Sequence, residues 1–153
     1  MDDATIKRLT AQWASTLRIT PTFDVDVTIK RDPAWHKTGD LTIDTDDKKV
    51  MLYINGLNPR NHNLEEVIVH ELFHMKLWPL DQFTESLIEV NYEEKSDAWQ
   101  LAYSSFMSAL EQTVSELAKT YLTAFGENTA LGFGRTETME SFDTLYDKLK
   151  SLK

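Results

Sequence analysis

The chain has 153 residues, 41% of them hydrophobic and 10% aromatic, which suffices for one domain with its own core and is tight for two. Its formal net charge of −9 repels phosphate backbones and argues against a nucleic-acid partner. With no cysteine, disulfides, thiolate metal ligands and cysteine nucleophiles are excluded together, and histidine and carboxylate remain the only strong metal ligands.

No apolar run reaches the length of a membrane span, so a membrane partner is not expected. The start, Met1-Asp2-Asp3-Ala4, has neither a basic nor an apolar signal region, which makes the cytoplasm the expected compartment. A mature secreted form would read the same way. From Thr5 to Arg18, Ile6, Leu9, Trp13 and Leu17 recur at helical spacing, and Pro21 marks the end of that helix. Phe23 to Ile29 alternates as a half-buried strand. Leu41–Asp44 and Val50–Ile54 alternate again across Asp46-Asp47-Lys48, predicting an antiparallel hairpin.

Asn63, with Glu66 three residues later, signs the start of the next helix. That helix is expected to run to about Leu77 and to close at Pro79. From Thr84 to Phe125 there is no glycine or proline, and two helices broken near Ser104–Ser108 are expected there. Gly126–Gly134 reads as a loop, and Met139, Phe142, Leu145 and Leu149 stripe a last helix. The order of elements predicts one α+β domain over residues 1–153, the part after about residue 108 being helical and of unassigned role. Trp13, Trp35, Trp78 and Trp99 are read as core residues, and Met107 and Met139 as packing.

The chemistry is concentrated in His70-Glu71-Leu72-Phe73-His74. Histidines at i and i+4 lie on one helix face and can reach one ion, while the glutamate between them stands beside it, where it suits a general base acting on water. Val67, Ile68, Val69, Leu72, Phe73 and Met75 make the helix apolar nearly all round, hence buried, and buried imidazoles need partners. A di-iron bundle would need a second Glu-x-x-His, and neither His36 nor His62 supplies one. The third ligand is expected from the following helix, among Glu85, Glu89, Glu93, Glu94 and Asp97. Glu93 and Asp97, spaced i, i+4, could serve as ligand and as acceptor from a histidine N–H.

HExxH followed by Glu93-Glu94-Lys95-Ser96-Asp97 resembles the gluzincins, the thermolysin-like metallopeptidases, and especially the minigluzincins. The likeness covers about residues 63–100. It implies a zincin-like fold and one Zn²⁺ held by His70, His74 and Glu93, with Glu71 catalytic and Asp97 orienting a histidine. Two positions depart from the pattern: Lys76 stands where an apolar residue is expected, and Tyr92 where asparagine is. Glu94 is the alternative third ligand. The implied activity is a zinc-dependent endopeptidase acting on peptide or protein, with substrate extended along the sheet edge at Leu41–Thr45. Tyr53, Tyr92, Tyr103 and His62 are the available donors to an oxyanion, with packing the alternative role for each tyrosine and a loop position for His62. The alternative is a metal-binding or regulatory protein of the same shape that cleaves nothing. Oligomeric state is open.

Overall fold

The computed structural model describes residues 2–132, 136 and 139–150. Asp2 opens helix α1 (Asp3–Thr16) by accepting the N–H of Thr5 at 2.8 Å, an N-cap. Ile6, Leu9 and Trp13 are buried on its inner face, with Leu17 at its C-cap. Strands β1 (Asp24–Lys30), β2 (Gly39–Asp44) and β3 (Lys49–Asn55) form one sheet in the order β1-β3-β2. The expected antiparallel hairpin is β2–β3, while β1 runs parallel to β3, so the sheet is mixed and β2 is an edge. Val27, Val50, Leu52 and Ile54 join the buried face of α1 and the next helix in a single core.

Helix α2 (Leu64–Asn91) does not close at Pro79. It runs through the proline for 28 residues. A mid-helix proline costs about 3 kcal/mol and removes one backbone bond. Packing against helix α3 (Asp97–Phe125), with Leu77, Phe106 and Met107 against the core and Ile88 buried further along, offsets that cost. The expected break at Ser104–Ser108 is also absent, because nothing there stops a helix; Ser104 Oγ simply donates to the Leu101 carbonyl inside α3.

The interruption falls at residues 92–96. Tyr92 turns extended, Lys95 takes a left-handed φ of 66°, and Ser96 caps α3 by accepting the Trp99 N–H at 3.2 Å. Glu85 accepts from the Tyr103 hydroxyl at 3.1 Å, so α3 returns antiparallel along α2. A last helix, α4 (Phe142–Lys150), carries Phe142 and Leu145 of the expected stripe; Met139 lies before it, and the Leu149 side chain lies outside the described residues. Gly126–Gly132 is non-helical as expected; Gly134 lies outside the described residues. The chain is thus α+β, with four helices and a small mixed sheet among the described residues. No described helix is long and apolar enough to cross a membrane.

Candidate metal centre

Val67, Ile68, Val69, Leu72, Phe73 and Met75 are all buried, which fixes the rotation of α2. His70 and His74 are left one turn apart at the cleft between α2 and α3, their side chains 24% and 20% exposed. Their Nε2 atoms stand 3.2 Å apart. From α3, Glu111 brings Oε1 to 3.2 Å from His74 Nε2 and Oε2 to 3.5 Å from His70 Nε2. The three residues offer ligand atoms that all lie within 4.8 Å of one another. Ligands at about 2.0–2.1 Å around a tetrahedral ion are separated by about 3.3 Å, so the two imidazoles and one carboxylate sit at the spacing of three corners of such a site. The group could hold a metal ion.

Glu93 and Glu94 are not at this centre. Because α2 continues past His74 to Asn91, it carries the following turn about 25 Å along its axis. Both glutamates lie exposed in that turn, and Glu94 pairs with Lys95 at 3.5 Å. Asp97 is the first residue of α3, exposed in its first turn, where a carboxylate complements the helix dipole. The segment Glu93–Asp97 is therefore a turn and a helix cap. Glu111 takes the place expected of Glu93. A trace of it exists in the sequence: Glu111 directly follows Leu110 of the buried stripe on α3 and begins a polar line, Glu111, Ser115, Lys119, at spacing four.

Glu71 lies next to this centre, against the start of β2. A Cβ on Gly39 would come within 2.5 Å of Glu71 Oε1 and 2.8 Å of the buried Val67, so glycine is what lets the strand pass this close. Burial pushes the Glu71 carboxyl above its ordinary pKa, against the opposing pull of His70 and His74. Burial also disfavours charge on His74, but the Glu111 carboxylate outweighs it and raises the imidazole. Hydrogen bonds from His70 and His74 hold Glu111 far below the carboxylate range.

The first turn of α2 is clamped from a distance. Asn63 Oδ1 accepts from the N–H groups of Glu65 and Glu66 at 3.2 and 3.3 Å, while its Nδ2 donates to the carbonyls of Asn128 and Ala130 at 2.9 and 2.6 Å. Glu66 does not close the box back onto the cap; Oε2 accepts from the Gly132 N–H at 2.9 Å. The fully buried Glu65 accepts from Trp13 Nε1 at 2.9 Å and from the N–H groups of Glu127 and Asn128 at 3.1 and 2.7 Å. Arg8 grips Glu127 with two bonds of 2.6 and 2.7 Å.

The His70–His74–Glu111 group opens into a cleft of about 790 Å³ between α2, α3 and the start of β2. Asn55 N–H donates to the Thr38 carbonyl at 3.0 Å, which makes Asp40 and Thr42 the inward-bonded residues of β2 and turns the main-chain groups of Gly39, Leu41 and Ile43 to the open edge. The Leu41 N–H is covered by Asp40 Oδ1 at 3.1 Å. Of the tryptophans only Trp13 is core: Trp35 and Trp99 are half-buried, and Trp78 lines the cleft, as does Met107. Tyr53, Tyr92, Tyr103 and His62 are not among the cleft-lining residues, and Lys76 is exposed on α2. Met139 is exposed rather than packed.

No protein-family model, curated protein or solved structure matches this chain.

Proposed function

We propose that the protein is a zinc-dependent peptidase of gluzincin character whose third ligand is Glu111. The observation that carries the reading is Glu71, a half-buried carboxylate held beside a His70–His74–Glu111 group of metal-ligand spacing. A purely structural zinc ion is usually closed by four protein ligands, whereas this group offers three and leaves Glu71 beside it. Two imidazoles and a carboxylate make zinc the default ion, open to substrate at its fourth position. Such an ion, when bound, supplies Lewis acidity to water and to a peptide carbonyl.

The chain's own part is positioning and proton transfer. The strand at Gly39 passes close against the Glu71 side chain, whose raised pKa suits a group that takes a proton from water and returns it to a leaving amine. The outward main-chain groups of Gly39 and the Leu41 carbonyl offer an extended peptide an edge to pair with, next to Glu71.

The test compares the native chain with Glu71→Gln for metal content and for cleavage of a mixed peptide pool followed by mass spectrometry. Both should carry one divalent ion per chain, and only the native chain should cut, with the variant slowed by about 10² or more. Equal cleavage by both would remove Glu71 from the chemistry. A native chain that binds the ion and cuts nothing would leave a non-catalytic metal-binding or regulatory protein in its place.

A further inference from the structure

The cleft is polarised by charge along its length. On α2, the face that carries His70 and His74 continues through Trp78 to Asp81 and Glu85, in steps of three and four residues. On the antiparallel α3, the face that carries Glu111 continues the other way, through Ser115 to Lys119. One end of the cleft is therefore acidic and the other basic. At the basic end Lys119 is joined by Arg60, from the loop ahead of α2, and by Lys37.

These groups are not equally engaged. Lys37 is paired with Asp40 at 2.6 Å. Glu66, the carboxylate of that wall, accepts from Gly132. The side chains of Lys119, half-buried, and Arg60, exposed, make no hydrogen bond or ion pair among the described residues. The chain has 25 acidic residues against 16 basic ones, so surface pairing would have been easy. At the far end the Asp81 carboxylate likewise makes no hydrogen bond or ion pair among the described residues, and it would repel an anion placed there.

We infer that Lys119 and Arg60 form a carboxylate-binding subsite, and that peptides occupy the cleft with an anionic group directed to this end. The inference rests on the peptidase reading and deepens it by naming the substrate class. Two long cations bind a carboxylate through charge-assisted hydrogen bonds, strongest where the cleft excludes water. The carboxylate is that of a chain terminus or of an acidic side chain.

The test uses one peptide that the native chain cuts, in matched forms: free acid against carboxamide at the C-terminus, and glutamate against glutamine on that side of the scissile bond. The native chain should prefer the carboxylate form of one pair about tenfold in kcat/KM. The pair that shows the preference identifies the source. Lys119→Met with Arg60→Met should bring the ratio to about one, Lys119→Arg should restore it, and Lys76→Met, which removes an exposed charge from the outside of α2, should leave it intact. No preference in either pair, or a preference that survives the double substitution, overturns the inference while the peptidase reading stands. If nothing is cut, fluorescently labelled copies of a fixed octapeptide in the same forms are scored by binding to Glu71→Gln. A preference carried there by Lys119 and Arg60 upholds the subsite and separates it from the peptidase reading; its absence overturns the subsite as well.

Discussion

His74 on α2 and Glu111 on α3 meet across the helical hairpin with Nε2 and Oε1 3.2 Å apart. With Oε2 also 3.5 Å from His70 Nε2, Glu111 is the one residue of α3 in the group that could hold a metal ion. Glu111→Gln should therefore lower metal affinity by at least about tenfold, since it removes the only carboxylate of the group. Glu93→Gln should leave affinity unchanged. A competition titration with a chromophoric chelator reads both, and loss of metal on changing Glu93 would return the third ligand to the turn.

Gly39→Ala places a methyl group against Glu71 and Val67. Val67 is buried and cannot swing away, so the strand or the glutamate must shift. The expected cost is about 1–3 kcal/mol of stability, as for other overpacked sites. Peptide cleavage should fall while metal content holds. Urea unfolding, metal analysis and a peptide assay on one preparation separate the three effects, and unchanged cleavage would show that Glu71 tolerates displacement.

The metal-free chain should show a pH optimum of stability set by His74 and Glu111. Glu111 has a depressed pKa, so its contribution is present above the unfolded value of 4.5 and is lost as pH falls through the folded value. His74 has a raised pKa, so its contribution is full below 6.5 and is lost as pH rises through the folded value. The pair thus favours the folded state most between these two reference values. Urea midpoints across pH in the presence of a chelator give the curve. In Glu111→Gln this maximum should flatten, and an unaltered curve would dissociate it from the pair.

Glu65→Ala leaves Trp13 Nε1 and two backbone N–H groups without their acceptor. Trp13 is buried while Glu127 and Asn128 are exposed, and an unpaired buried donor costs about 1–3 kcal/mol, so a loss of about that size is expected in chemical denaturation. A loss below about 1 kcal/mol would mean that water replaces the carboxylate.

The α1 face, the hairpin and the Asn63 cap were all legible in the sequence, because each depends on residues a few positions apart. Pro79 and Glu93–Asp97 misled for the same reason. Read locally, a proline ends a helix, and Glu-x-x-Ser-Asp looks like a ligand motif. In the fold α3 supplies the packing that carries α2 past Pro79, and Ser96 spends its hydroxyl on a helix cap. Once the turn is placed at 92–96, reflecting α2 about it brings His74 level with Glu111. That placement depends on tertiary packing, which short-range patterns do not contain. Glu65 was equally hidden: its three donors come from Trp13 and from Glu127 and Asn128, at opposite ends of the chain.

The clamp on the first turn of α2 has a kinetic consequence. Trp13 lies 52 residues before its partner Glu65, and Asn128 lies 63 after. Closing two loops of this size draws on chain entropy before any bond rewards it, so such contacts slow folding. The orphan N–H groups at the head of the metal helix can be capped by Asn63 early and locally, but Glu65 finds its donors only when both ends of the chain have arrived. A nascent chain that has emerged only as far as His74 thus has HExxH without Glu111 and without the clamp. The group that could hold an ion comes together only once α3 has grown past Glu111, and the locking of the first turn of α2 comes with the segment that follows α3.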